Sequence, residues 1–322
     1  MVGTGEAGGR RGERGGGPKA SSASRRVEWP TIAVAAAIYG TWAAATAFHA
    51  HIPTPLLMAL GGWLVAWHGS LQHEAIHGHP TPWARVNAAI AFPPLALWLP
   101  YPVYGRSHLA HHASEHLAHP AFDPEARYLP TGRGRVHGLR RIVATVQATL
   151  AGRILLGPVF EVVGFLAVES RRVLHGEGDA RKVWAQHALA VGALLGWLHV
   201  VDLGLIEYLA CFVYPGVALS LIRSFAEHRA ASRPGHRVAI VENAPILGLL
   251  FLNNNLHAVH HAWPGLSWWR LPERYRQRRE EILAANGGLV YAGYGEVFAR
   301  FLFRPHDAVE HPEGALPGGA AA

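Results

Sequence analysis

Long apolar runs with few charges dominate the pattern of the chain. A helix needs about 20 apolar residues to cross a hydrocarbon core, and four segments are long enough. They come in two pairs, each joined by a very short connection, so the pattern predicts two helical hairpins. The segments cover about residues 30–48, 52–71, 183–201 and 203–222.

Three further apolar stretches are shorter and are interrupted by proline, at residues 86–100, 154–168 and 244–251. Stretches of this kind are more typical of re-entrant or interfacial helices than of spans. The predicted fold class is therefore all-α. The chain is predicted to be an integral membrane protein with four transmembrane helices as two hairpins, accompanied by interfacial helices.

The two ends of the chain lack the apolar pattern. Residues 1–28 are rich in glycine, arginine and serine, a composition that predicts a disordered tail. Residues 305–322 are predicted to form a second disordered tail, which leaves residues 29–304 as one membrane domain. The first apolar segment is about as long as a full span, so we expect a retained anchor rather than a cleaved signal peptide.

The lysines and arginines are unevenly distributed along the chain. Of the 29 lysines and arginines, six precede the first hairpin, twelve lie between the hairpins and eleven follow the second. The connections inside the hairpins, around residues 49–55 and 201–203, contain none. The positive-inside rule assigns the basic side, and with it both termini, to the cytoplasm. The net charge of +7 therefore indicates membrane topology and predicts no nucleic-acid partner.

Histidine is abundant, with 22 copies, and many of them fall in three clusters. On an α-helix, side chains three and four residues apart share a face, with Cβ atoms about 5–6 Å apart. Imidazoles at positions i and i+4 can therefore reach one metal ion, and a third at i+3 can reach a second ion beside it. The clusters are His73 and His77; His108, His111 and His112; and His257, His260 and His261.

The pattern His-x-x-His-His occurs twice and is much rarer by chance than the His-x-x-x-His of the first cluster. All three clusters lie at or beyond the predicted cytoplasmic ends of the spans, so eight imidazoles can meet in a cytoplasmic cap, and eight suit two ions. His228 follows the fourth segment directly and can reach the same face, although spacing alone leaves its role open. The histidines predicted to be solvated or capping are His79, His116, His119, His137, His175, His236, His306 and His311.

The ligand set favours iron over other metals. Catalytic zinc takes three protein ligands and one open position, and soluble di-iron bundles add carboxylates in Glu-x-x-His motifs that these clusters lack. The single cysteine, Cys211, excludes a Cys-ligated iron–sulfur cluster. An all-imidazole pair of irons remains. Such a pair can bind O₂, take two electrons from a reductase and remove hydrogen from an unactivated C–H bond, which lipids offer.

These features together resemble the membrane fatty acid desaturase family, which includes carotenoid ketolases and is related to alkane hydroxylases. Residues 255–264, followed by residues 268–272, are similar to the third histidine box of the family and its trailing segment. Residues 106–112, with Asp123 and Pro124 downstream, are similar to the second box.

The resemblance covers about residues 30–281 and implies that the eight box histidines, joined by His228, ligate two irons. Some members place an asparagine one helical turn before that histidine as a water-mediated metal contact, whereas this chain has Ser224. Some members carry a fused haem domain with a His-Pro-Gly-Gly motif, from which residues 311–314 depart. Electrons are therefore expected from a separate ferredoxin-like or cytochrome-type protein.

The leading hypothesis is an O₂-dependent desaturase that introduces a double bond into an acyl chain carried by a lipid, CoA or a carrier protein. The alternative on the same scaffold is a hydroxylase or ketolase of a carotenoid or alkane, which the ligands do not distinguish. A metal transporter is less expected, because transport sites lie near the bilayer midplane. A chain between the helices would pass near four tryptophans, which we interpret as packing or interface residues: Trp42, Trp63, Trp67 and Trp98.

Overall fold

The computed structural model describes residues 26–119, 122–126 and 138–308, and these are predominantly helical. In chain order the helices are α1 (Trp29–Ala47), α2 (Thr54–Ile76), α3 (Ala84–Ala91), α4 (Tyr101–Ala113), α5 (Gly138–Gln147), α6 (Leu150–Leu155), α7 (Gly157–His175), α8 (Ala180–Val200), α9 (Leu205–Tyr208), α10 (Tyr214–Glu227), α11 (Pro245–Leu250), α12 (His257–Ala262), α13 (Leu271–Ala285) and α14 (Tyr294–Phe301). A π-helical turn, Leu209–Val213, joins α9 to α10 without a break.

Helices occupy all four segments in which spans were predicted. Two of them, Ala180–Val200 and Leu205–Glu227, are long and apolar enough to cross a membrane by length and composition. On α8, large apolar side chains such as Leu189 and Val200 are exposed, as expected of a surface that faces lipid. The topology with four spans remains a prediction, since α1 and α2 are not among the candidate spans.

The core lies where α2 runs alongside α10, and glycines allow the two helices to approach closely. A Cβ on Gly62 would lie 2.8 Å from the Cβ of Pro215, and one on Gly216 would lie 2.5 Å from the Cβ of Val65. Small residues permit such backbone contact between membrane helices. The contact that lies further along α2, at Val65, also lies further along α10, at Gly216. The two helices are therefore parallel and end at the same side of the protein.

The three shorter apolar stretches form helices of different lengths. Residues 84–91 form α3, whereas residues 92–100 are mostly non-helical. The second stretch belongs largely to α7, which continues to His175, and the third forms the single short helix α11. Their position relative to a membrane remains a prediction.

A small cap follows α10 and contains the β-structure that the all-α prediction omits. Strands β1 (Ile240–Val241) and β2 (Val290–Tyr291) pair in parallel, with Ile240 opposite Val290. Strands of two residues are too short to show the alternation by which strands are predicted. The backbone N–H of Val241 donates to the carbonyl of Asn255 at 2.8 Å, so the ladder holds the segment that precedes α12.

Most of both predicted tails, residues 1–25 and 309–322, lies outside the described residues. Two residues assigned to the tails are nevertheless buried, Glu28 and His306. The His306 side chain lies 2.8 Å from the Tyr291 hydroxyl, and its backbone N–H donates to Ala148. Packing therefore extends a few residues into both segments.

Candidate metal centre

Four helix ends present the histidines of the three clusters and His228. The helix α2 continues past the predicted end at residue 71, so His73 lies in its last turn and His77 is its C-cap. The second cluster lies on α4 and the third on α12. His228 is the C-cap residue of α10.

The nine imidazoles gather into two adjoining groups, in each of which the potential ligand atoms all lie within 4.8 Å of one another. The five-histidine group consists of His73, His77, His108, His112 and His260. The four-histidine group consists of His111, His228, His257 and His261.

The helical spacing explains how the clusters are divided between the groups. On α4 the i and i+4 residues, His108 and His112, enter the five-histidine group, whereas His111 at i+3 enters the other. On α12 the arrangement is reversed, because His257 and His261 share the four-histidine group. Each His-x-x-His-His cluster thus contributes to both groups, as its helical spacing predicts.

The ring nitrogens face one another at the separation expected of ligands on a common ion. In the five-histidine group, His108 Nε2 lies 2.9 Å from His77 Nε2 and 3.1 Å from His112 Nε2. In the four-histidine group, His257 Nε2 lies 2.9 Å from His228 Nε2. Two imidazole ligands bound at about 2.1 Å and at right angles would place their nitrogens about 3.0 Å apart. The donor set therefore fits two metal ions side by side.

A buried nitrogen without a hydrogen-bond partner also supports metal binding. His73 Nε2 is buried and has no hydrogen-bond partner among the residues that the structure describes. A buried polar atom without a partner is costly. A metal ion in the five-histidine group would satisfy this nitrogen.

The opposite ring nitrogens of several imidazoles are held by acceptors. His111 Nδ1 donates to Asp123 at 2.8 Å, and His108 Nδ1 to Glu125 at 3.0 Å. His257 Nδ1 lies 3.1 Å from the side-chain oxygen of Asn254. Such contacts fix the tautomer and the ring orientation and leave Nε2 available to a metal.

Burial lowers the pKa of seven of the nine imidazoles and favours their neutral form: His73, His77, His112, His228, His257, His260 and His261. Burial, followed by the neighbouring His108 and His111, lowers the pKa of His112 to about 3. Burial and His111 likewise lower the pKa of His228 to about 3. A metal ligand must be deprotonated, and these side chains carry a free lone pair at neutral pH.

Sequence reasoning missed the residues that hold the imidazoles. The sequence indicates Asp123 only as part of the resemblance to the second box, and no sequence pattern considered above indicates Glu125 or Asn254. Burial disfavours the charged form of Asp123, but its hydrogen bond to His111 outweighs this and lowers the pKa of the carboxyl below its usual value. The signal in the sequence is the pair of acidic residues, Asp123 and Glu125, that follows the second histidine cluster by about a dozen residues.

A buried hydrogen-bonded group, which we term the Glu28 clamp, ties three segments together next to the centre. Glu28 accepts hydrogen bonds from His79 Nδ1 at 2.8 Å and from the Ser267 hydroxyl at 2.6 Å. The Trp268 backbone N–H donates to Glu74, at 3.1 Å. The clamp joins the start of α1, the end of α2 and the segment after α12.

The prediction that His79 is solvated or capping is therefore wrong. His119 and His306, placed in the same class, are also buried. His79 bonds to Glu28 in a segment predicted to be a tail, and His306 itself lies in such a segment, so no local pattern indicates the burial of either. His137 and His311 lie outside the described residues.

A cavity of about 190 Å³ lies between α2 and α10, beside the five-histidine group. Its wall includes Tyr104, Glu125 and Arg223. The Tyr104 ring lies 5.8 Å from the ring of His108. Trp98 also lines the cavity, so one of the four tryptophans interpreted as packing residues borders a space that a ligand can enter.

The family model of the fatty acid desaturases matches residues 46–294. The chain belongs to the fatty acid desaturase family. This match confirms the resemblance seen in the histidine boxes, and it extends from the end of α1 to the start of α14. A search among curated proteins found none that matches the chain. Fatty acid desaturases are membrane-associated oxidoreductases that act on lipids and use metal ions.

Proposed function

We propose that this protein is an O₂-dependent di-iron desaturase that introduces a double bond into an acyl chain carried by a lipid, CoA or a carrier protein. The observation that carries the proposal is the convergence of nine imidazoles into two adjoining groups. Family membership supports a lipid substrate, and the single cysteine leaves imidazole as the principal ligand type for a transition metal.

The proposed ligands of one iron are the five-histidine group, and those of the other are the four-histidine group. Two irons bound there would supply the activation of O₂ and the removal of hydrogen from an unactivated C–H bond, using two electrons from outside. The protein's own residues orient the site. Asp123 and Glu125 accept hydrogen bonds from Nδ1 of His111 and His108. These bonds leave the Nε2 lone pairs directed at the proposed metal sites.

The surroundings suit a chain that approaches from the bilayer. Val65, Val217 and Leu221 give the cavity beside the five-histidine group an apolar wall. The electrons are proposed to come from a separate ferredoxin-like or cytochrome-type protein. The sorted lysines and arginines support a multi-pass protein with the centre and both termini in the cytoplasm.

Metal analysis combined with Mössbauer spectroscopy tests the centre. We expect two antiferromagnetically coupled irons per chain, one for each histidine group. Zinc without iron in protein from iron-replete cells would overturn the proposed chemistry.

Lipid analysis of an expressing host tests the reaction. We expect new double bonds in acyl chains in air and none under anaerobic growth, with a His260→Ala variant as the inactive control. Oxygenated carotenoids or alkanols in place of unsaturated chains would identify a hydroxylase or ketolase instead.

A further inference from the structure

The cavity beside the metal centre, termed the slot below, is lined by residues of two parallel helices, α2 and α10. Its wall on α2 extends from Val65 to Gln72, and its wall on α10 from Val217 to Ser224. A rise of 1.5 Å per residue gives each wall a length of about 10 Å. Both walls end just before a proposed ligand, His73 on α2 and, one turn beyond Ser224, His228.

The slot changes character along its length. Near the metal centre it is lined by Gln72, Tyr104 and Arg223, whereas Val65 and Val217 line the far end. The far end lies toward the middle of the helices and suits a hydrocarbon chain. A chain that passes the centre can therefore continue into the slot.

Gly69 occupies the position in this slot that is open to a side chain. It lies one helical turn before His73 and shares its face of α2, and it lines the cavity. A Cβ built on Gly69 meets no heavy atom within 4 Å. Gly62 on the same helix is different, because a Cβ there would collide with Pro215.

Neither packing nor backbone conformation requires glycine at position 69. The residue lies inside α2, where glycine is less favourable than alanine. The absence of a side chain at Gly69 leaves free space in the slot, one helical turn before His73.

We propose that Gly69 is a specificity-determining residue of the desaturase. The space beside it receives the part of the acyl chain beyond the reacting carbon, and the length of the slot limits how many carbons lie between that carbon and the methyl end. This inference rests on the proposed function, in which the centre oxidises an acyl chain.

Binding measurements test the pocket without any turnover. Radiolabelled decanoic and octadecanoic acids are titrated against the wild type, Gly69→Ala, Gly69→Leu and Gly192→Leu in lipid nanodiscs. Gly192 is the matched control, because it is an exposed glycine within α8 whose Cβ also meets open space but which lies outside the cavity. Equal iron content per chain shows that the variants keep the centre.

We expect Gly69→Leu to weaken octadecanoic acid binding relative to decanoic acid by about tenfold or more, the effect of one or a few methylenes in a pocket. Gly69→Ala should have a smaller effect in the same direction, and Gly192→Leu none. An unchanged ratio in Gly69→Leu, an equal change in Gly192→Leu, or no octadecanoic acid binding to the wild type would overturn the proposal.

Product analysis separates this inference from the proposed function. In lipids of the expressing host, Gly69→Leu should reduce the number of carbons between the new double bond and the methyl end. If double bonds form but their position and the chain-length profile stay as in the wild type, Gly69 does not set specificity and the desaturase stands. If binding changes as expected but no O₂-dependent product forms, the pocket stands and the desaturase fails.

Discussion

The two histidine groups differ in how the protein holds them. In the four-histidine group, three imidazoles have Nδ1 within 2.8–3.3 Å of a protein acceptor. In the five-histidine group, only His108 has such a bond among the residues that the structure describes. The cavity borders the five-histidine group. The four-histidine group is therefore oriented by more hydrogen bonds to the protein than the five-histidine group.

The difference indicates a division of the centre into two halves that the protein supports to different degrees. Imidazoles whose second nitrogen is bonded keep their orientation before a metal binds, so the four-histidine group is the preorganised half. The five-histidine group has one more imidazole but fewer of these supporting bonds.

Neighbouring residues on α12 give the strongest test of this division. His260 belongs to the five-histidine group and His261 to the four-histidine group. We expect both alanine variants to lose product formation by at least about a hundredfold, since even residues around a metal site cost up to that factor. His261→Ala should lose more iron than His260→Ala, because fewer ligands remain in its group.

Iron per chain and the rate of double-bond formation measure both effects. His116→Ala is the matched control, since His116 belongs to neither group. Wild-type iron content and activity in His261→Ala would refute the assignment of the four-histidine group as a metal site.

The carboxylates around the centre give the next largest effect. Asp123 is buried against His111, whereas Glu125, which holds His108, is partly exposed. Asp123→Asn should lower iron affinity about tenfold to a hundredfold, because the amide no longer provides a charged acceptor for His111. Glu125→Gln should have the smaller effect. Iron retention during titration with a chelator measures the difference, and a greater loss in Glu125→Gln would reverse the comparison.

The sequence predicts the centre far better than its surroundings. The spacing within each cluster determines which imidazoles share a helical face. It also explains why His108 and His112 enter one group and His111 the other. That the clusters meet is predicted from a different feature, the placement of all three at the same ends of the predicted spans. The helices at the four apolar segments follow equally from local pattern.

The supporting contacts depend on residues that are distant in sequence. Glu28 meets Ser267 across most of the chain, and no local pattern near either residue indicates this pairing. The burial of His79 could not be predicted either, because its partner Glu28 is distant in sequence. The strands β1 and β2 are too short to show a period, and the room beside Gly69 is visible only once α2 and α10 are packed together.

The Glu28 clamp supports the end of α2 that carries His73 and His77, so it tests what stabilises the five-histidine group. Burial favours the neutral forms of both partners, but the hydrogen bond between them lowers the pKa of Glu28 and raises that of His79. Glu28→Gln should destabilise the protein by about 2 kcal/mol, the size of a hydrogen bond between charged groups. This effect should be largest between the ordinary pKa values of glutamate, about 4.3, and histidine, about 6.5, where both partners are charged.

The destabilisation should decrease as the pH rises above this range. Because the pKa of His79 is raised in the folded state, its contribution is complete below the ordinary histidine value of about 6.5. It is lost as the pH rises through the folded-state value. The thermal midpoints of the wild type and Glu28→Gln should therefore converge with rising pH. Glu273→Gln, which removes an exposed carboxylate, should show no such trend. A gap that widens with pH would contradict the charged pair.

Ser224 should give the smallest effect. It lies one helical turn before His228, where some family members place an asparagine, and its hydroxyl donates to the carbonyl of Leu221 at 3.3 Å. Because this hydroxyl is satisfied by its own helix, Ser224→Ala should change the product rate by no more than about twofold. Ser220→Ala is the matched control, since Ser220 lines the same cavity and bonds its own helix at Gly216. A tenfold loss of iron in Ser224→Ala alone would mean that the hydroxyl supports His228 and its metal. In that case the preorganised half of the centre would depend on α10 as well as on the acceptors around it.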